Sequence, residues 1–379
     1  MYVRSYRYLY CSTSDLALHP TMQAHTASRQ AVRGLSCKHH DLPSPLVALS
    51  SGPRDRRRLL FQSAAPEGER SERGCVRGTK SRCLLDPASE TAVRKSDQGS
   101  SMSAAFAAHF GPWAVIAGAS EGLGAAFAHR LASYGISLVL IARREEPLQE
   151  LSNKLKAEYG IATLTLSLDI ASDAAVEKFS TATTSLDIGL LVFNAAAASI
   201  CEFSDATPEA LDKIVALNCS GLVRIVRCMV PRLLARECGA GLLLMSSMSG
   251  FRGHACAATY AASKAFTTSF AEGLWAELEP QGVTVRVCAA GAILTPNFMS
   301  VTPEHKRSAS FPMTPERVAD DALRSLERDG RRGAIVIPGW INWFAAFLMS
   351  RLLCSSLAVW LMSKNLREIY NLPQKKRQS

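Results

Sequence analysis

The sequence predicts an α/β protein built on a doubly wound parallel sheet. Three features carry that expectation. Short apolar runs alternate with helical stretches from Trp113 onward, a glycine-rich turn joins the first run to the first helix, and polar residues recur where the runs end. Several of the runs, such as Leu242–Met245, are apolar without interruption, as buried strands are.

Trp113–Ala117 reads as the first strand. Gly118-Ala-Ser-Glu-Gly122-Leu-Gly124 follows, and then a helix from Ala125 to Ala132. Strand, glycine turn and helix in this order aim backbone N–H groups and a helix N-terminus at a pyrophosphate, the arrangement of a Rossmann-type domain. Gly118 permits the tight turn, Gly122 lets the backbone approach the phosphates, and Gly124 lets the helix pack closely on the strand. The spacing is G-x-x-x-G-x-G rather than the commoner G-x-G-x-x-G, so the strand–helix context carries the argument.

Ser137–Ala142 is the second strand and ends in Arg143-Arg144. An acid is expected near here where a ribose 2′-hydroxyl is held. Two arginines instead suit a 2′-phosphate, and Ser120 in the turn stands ready to assist, so NADP (NADPH) is expected over NAD. The competing reading is that both arginines merely open the next helix at the surface. Ala162–Leu168 is the third strand, with Asp169 at its end, and Ile188–Phe193 the fourth, followed by Asn194. Helices are expected over 145–159 and 172–185. In such sheets ligands bind at the carboxyl ends of strands, where Gly118, Arg143, Asp169, Asn194 and Ser247 all fall.

The fifth run, Leu242–Met245, leads to Ser247, and Tyr260-Ala-Ala-Ser-Lys264 lies on the helix beyond it. Tyr260 and Lys264, four apart, share one helix face. An ammonium beside a phenol favours its ionised form, which suits a general acid that protonates a carbonyl oxygen receiving hydride. The Ser247 hydroxyl is placed to bond the same oxygen. His254 and Cys256 are expected as pocket walls. Val283–Ala289 is the sixth strand. Phe298, Met299, Phe311 and Met313 precede a helix opened by Thr314-Pro315, and their content favours an apolar ligand. Ala334–Pro338 is the last strand.

The chain has 379 residues and a formal net charge of +10. That charge lies mostly in residues 1–101 and in Lys375-Lys376-Arg377, leaving the stretch between them near neutral, so no nucleic-acid partner is expected. Residues 1–101 lack periodicity and read as a disordered or dispensable leader, with Met102 a candidate start; a basic organellar targeting segment is the alternative to a cytoplasmic protein. The eleven scattered cysteines show no metal spacing and fit reduced thiols. Trp340–Met362 is apolar, but Arg351 interrupts it, and a charge at a bilayer centre costs about 2.5–3.5 kcal/mol. Two amphipathic helices over the substrate pocket or a dimer face are therefore expected within a 339–379 tail, ahead of peripheral membrane attachment.

From about Trp113 to Pro338 the chain resembles the short-chain dehydrogenase/reductase family. Gly118, Gly122 and Gly124 match its cofactor turn, Asp169 its adenine contact, and Asn194 its Asn-Ala-Gly strand end. Asn218, Ser247, Tyr260 and Lys264 match its catalytic tetrad. Gly291 and Thr295 match its Pro-Gly-x-x-x-Thr element at the nicotinamide. Ala290 replaces the expected proline, Phe193 an asparagine and Ala196 a glycine. The resemblance implies one domain over 102–338 in which NADPH delivers hydride to a ketone or aldehyde and Tyr260 protonates the oxygen. Lys264 lowers the Tyr260 pKa and bonds the nicotinamide ribose, and Asn218 holds a water leading from Lys264 to solvent. It also implies that the segment holding Phe298, Met299, Phe311 and Met313 lids the substrate, and a homodimer or homotetramer through the helices carrying Asn218 and Tyr260. A non-catalytic nicotinamide sensor and a membrane-associated module acting through residues 340–379 are the readings set against it.

Overall fold

The computed structural model describes residues 104–328, 330 and 333–372. The leader over 1–101, its cysteines (Cys11, Cys37, Cys75 and Cys83) and Lys375-Lys376-Arg377 lie outside the described residues. Seven strands form one sheet, all pairs parallel, in the order β3-β2-β1-β4-β5-β6-β7. They are β1 (Trp113–Ala117), β2 (Ser137–Ala142), β3 (Thr163–Ser167), β4 (Ile188–Phe193), β5 (Ala240–Ser247), β6 (Val283–Ala290) and β7 (Ile335–Val336). The order reverses between β1 and β4, and that switch opens a crevice at the carboxyl ends of the strands.

Successive side chains of a strand point to opposite faces, so each apolar run serves two cores. On β5, Leu243 and Met245 join Phe127, Leu148 and Val318 on one face, while Leu242 and Leu244 join Phe179, Ile225 and Met229 on the other. Fully buried side chains of this size each contribute about 1.5–3 kcal/mol, which is why every run can be apolar throughout.

The helices that matter here are α1 (Gly122–Ser133), α2 (Glu145–Tyr159), α3 (Ala175–Thr183) and α4 (Pro208–Leu234). After them come α5 (Ala258–Leu278), α6 (Pro296–Val301), α7 (Pro315–Leu326), α8 (Trp340–Phe347) and α9 (Ser355–Tyr370). Among the described residues α4 alone is long and apolar enough to cross a membrane, but it is a core helix: Ile225, Val226 and Met229 lie within the sheet's second core.

Differences from expectation are local. α1 begins three residues early, because the glycine turn itself supplies its first turn. α3 is shorter than 172–185. β7 keeps two residues rather than five, since Pro338 has no N–H to pair, and Gly333 and Gly339 adopt positive φ on either side. The tail forms two helices, α8 continuing through a π turn over Leu348–Leu352 that contains Arg351.

Candidate active site

The glycine turn is held by contacts that no other residue allows. Gly118 has φ +82° and a Cβ there would lie 2.7 Å from the Ala195 backbone. Gly122 has φ +56° and faces the methyl of Thr295. A Cβ on Gly124 would lie 1.9 Å from the Gly118 carbonyl oxygen, so α1 packs on β1 only because that atom is missing. The Asn194 amide donates to the Gly118 carbonyl at 2.8 Å and pins the turn from β4.

Arg143 and Arg144 emerge at the end of β2. Arg144 pairs with Glu121 of the turn at 2.9 Å, whereas Arg143 lies exposed at the cavity rim and makes no ion pair among the described residues. Asp169 caps its own loop, accepting from the Ala171 N–H at 3.1 Å. Ser120, Gly291 and Thr295 also line the cavity; the Thr295 hydroxyl caps α6 by accepting from the Phe298 N–H at 3.2 Å. Gly291 abuts the amide of Asn342 from α8, 2.7 Å from where its Cβ would stand, so the tail braces the loop in which Ala290 replaces proline.

Ser247, Tyr260 and Lys264 converge on the same cavity. Burial pushes the Tyr260 phenol above its ordinary pKa, partly opposed by its hydrogen bond with Ser247. The Lys264 ammonium donates to the Met245 carbonyl at 2.9 Å and sits 5.7 Å from the centre of the Tyr260 ring. Burial lowers its pKa to about 8. In this structure burial is the main cause of the Tyr260 shift, and the bond with Ser247 opposes it.

Asn218 sits in a π turn, Ala216–Gly221, in the middle of α4. Its side chain is fully engaged. The amide donates to the Ala197 carbonyl and to Ser263 Oγ, both at 2.9 Å, and its oxygen accepts from the Ala197 N–H at 2.8 Å. Any water it serves must therefore be met by the main chain, whose ladder a π turn disturbs.

His254 is a buried wall residue whose pKa burial lowers. Cys256 departs from expectation: it has φ +65°, points toward Glu202 and lines a separate small hollow. Phe298 and Phe311 line the main cavity, whereas Met299 and Met313 do not.

The cavity holds about 920 Å³ and runs from the glycine turn past Tyr260 to the tail. Its far side is made by Ile341 and Ala345 of α8, Met349 of the π turn, and Met362, Leu366 and Tyr370 of α9, so the two tail helices cover the cavity as the first of the two expected placements has it. The tail is fastened by Arg252 donating to the Ser350 carbonyl at 3.2 Å, by Ala255 N–H donating to Ser363 Oγ at 2.9 Å, and by an Arg367–Glu202 ion pair.

A sequence profile of the short chain dehydrogenases matches residues 112–306. The chain belongs to that family. As a short-chain dehydrogenase/reductase it is an oxidoreductase acting between CH–OH and C=O groups. It is 30% identical over 241 residues to a 7β-hydroxysteroid dehydrogenase of Mediterraneibacter gnavus, covering 61% of this chain and 90% of that protein. It is 31% identical over 256 residues to a very-long-chain 3-oxoacyl-CoA reductase of Pyrenophora tritici-repentis, covering 64% and 73%. A solved 7β-hydroxysteroid dehydrogenase superposes with a TM-score of 0.63 at 27% identity, covering 68% of this chain and 98% of that one. A short-chain dehydrogenase of Sphingobium yanoikuyae, solved with NADPH, gives 0.54 at 28% identity, covering 64% and 96%.

Proposed function

We propose that this protein is an NADPH-dependent reductase of an apolar, lipid-like ketone, of the steroid or oxoacyl kind its relatives are named for. The observation that carries it is the convergence of Ser247, Tyr260 and Lys264 where the glycine cradle meets an apolar hollow. The cradle suits a dinucleotide: Gly118 and Gly122 line the cavity in a turn tight enough to exclude any Cβ, and α1 begins at that turn, where a helix N-terminus favours a pyrophosphate. When bound, NADPH supplies the hydride.

The chain's own residues do the rest. Arg143 is the candidate partner of a 2′-phosphate, since Arg144 is held by Glu121. Asp169 and Asn194 flank the adenine and pyrophosphate ends of the crevice, and Gly291 and Thr295 its nicotinamide end. Ser247 donates to the substrate oxygen and orients it. Tyr260 gives that oxygen its proton; its raised pKa keeps the phenol protonated at neutral pH, as a donor must be. Lys264 holds positive charge beneath the phenol as it ionises. The main chain at Asn218 is the proposed route by which the proton is replaced. Phe298, Phe311, Ile341 and Met349 exclude water and favour an apolar substrate. A second copy is proposed to pack on the outer faces of α4 and α5, where Val215 and Phe266 are exposed and Phe266 stacks on Phe270.

The test follows NADPH consumption by absorbance over ketones of increasing apolar bulk, with NADH and Tyr260→Phe alongside. The reading expects turnover that rises with apolar bulk, prefers NADPH and falls about 10²–10⁴-fold in Tyr260→Phe. Turnover indifferent to Tyr260→Phe overturns it.

A further inference from the structure

The outer side of the C-terminal helices carries an apolar face that none of the described residues covers. On α8, Ile341, Ala345 and Met349 line the cavity, whereas Trp340, Trp343, Phe344 and Phe347 lie exposed on the opposite side, Trp340 at 78%. Trp343 and Phe347 stack with ring centres 5.8 Å apart. Leu352, Leu357, Trp360 and Leu361 continue the exposed apolar series through the π turn into α9. One helix is thus a cavity wall on its inner side and bare aromatic surface on its outer side. Isolated exposed apolar residues need no explanation, but a series of exposed aromatic residues along two successive helices does.

Charge identifies the occupant. From Gly339 to Arg367 every charged residue is basic, namely Arg351, Lys364 and Arg367, and the first acid is Glu368. Arg367 is held by Glu202, but Arg351 and Lys364 are exposed. Lys364 lies 5.4 Å over the Trp360 ring and 3.8 Å from Glu368. A second copy meeting this face by twofold symmetry would set basic residues against basic residues. An anionic bilayer surface meets them with opposite charge, and indole rings favour the headgroup level. The helices lie on such a surface rather than cross it: α8 has 8 residues and α9 has 16, short of the roughly 20 a span needs.

We propose that this aromatic, basic face docks on an anionic lipid bilayer, which sets one wall of the substrate cavity against the lipid. An apolar substrate then partitions from the membrane rather than from water. The docking stands on the tail's surface alone, and its substrate half rests on the reductase reading above.

The full chain is tested by flotation with phosphatidylcholine vesicles, with and without about one-fifth phosphatidylserine, at low and high salt. Trp343→Glu/Trp360→Glu, both outside the cavity lining, removes apolar contact; Arg351→Glu/Lys364→Glu reverses the charge and keeps every aromatic side chain. NADPH binding by fluorescence checks the fold of each variant, and turnover of a small water-soluble ketone without vesicles tests the reductase reading separately. Docking expects flotation that requires phosphatidylserine, weakens with salt, and falls about tenfold in both variants while NADPH binding is kept. It is overturned if the wild type does not float, or if the variants that retain NADPH binding float as well as it does. It is overturned too if sedimentation shows a wild-type oligomer that the tryptophan pair dissociates without any lipid binding. Flotation without small-ketone turnover retains the docking and removes the reductase reading.

Discussion

Gly124→Ala tests the central contact of the fold and the cofactor cradle at once. The added Cβ would lie 1.9 Å from the Gly118 carbonyl oxygen and 2.9 Å from the Ala119 Cα, both backbone atoms that no rotamer change can move aside. Bringing the closer pair to a 3.4 Å contact requires α1 to withdraw by about 1.5 Å from the end of β1. Overpacking a well-filled core costs about 1–3 kcal/mol, and an immovable backbone places this change at the upper end. For a domain of this size that is about 6–12 °C in Tm. The same withdrawal would carry the α1 N–H groups away from the proposed pyrophosphate position, so NADPH affinity is expected to fall as well. Differential scanning calorimetry and NADPH titration read the two effects. Gly253→Ala is the control, because nothing lies within 4 Å of its added Cβ and it has an ordinary φ. It is expected to stay within about 0.5 kcal/mol of wild type. A Gly124→Ala protein with wild-type Tm and wild-type NADPH affinity refutes the close-packing argument.

The remaining predictions are briefer. Lys264 has its folded pKa lowered from 10.5 to about 8, so the unfolded chain binds the extra proton between those values and this group adds stability as pH rises through that window. Carbonyl reduction, which needs the ammonium, is expected flat below pH 8 and declining above it; a rate profile level to pH 10 contradicts the role given to Lys264. Arg286 is buried in β6, 3.1 Å from Glu279, and donates to the Ser325 and Arg328 carbonyls. Arg286→Ala leaves Glu279 without that partner and is expected to cost about 3–5 kcal/mol in denaturant unfolding. Gly291→Ala collides with the Asn342 amide, and Asn342→Ala makes room for it. The double variant is expected to recover NADPH affinity lost by Gly291→Ala, with a coupling of at least about 1 kcal/mol; additive losses would show that the tail does not brace that loop.

Much of this site was legible in the sequence because its chemistry is local. The spacing of Tyr260 and Lys264 on one helix, and the three glycines between a strand and a helix, follow from backbone geometry alone. The strands were legible because both faces of the sheet are covered. What could not be read depends on long-range contacts. The Met245 carbonyl as the acceptor of Lys264, the Ala197 backbone as the partner of Asn218 and Glu121 as the partner of Arg144 are set by how distant segments meet. Cys256 faces a second small hollow and has a positive φ, which a cysteine code letter does not reveal. The inner face of α8 shows an apolar i, i+4 series, but its outer face is apolar as well, so periodicity could not say which side met the cavity.

The cavity is closed by helices that follow every strand of the sheet in the chain. Every strand, the glycine turn and the Ser247–Tyr260–Lys264 group precede residue 340, whereas α8 and α9 follow it. During synthesis the residues of the sheet therefore emerge before those of the wall that covers the apolar hollow. A chain stopped at Pro338 would keep its catalytic group and lose the wall beside it, so that an unfinished copy carries the chemistry without the enclosure that selects its substrate.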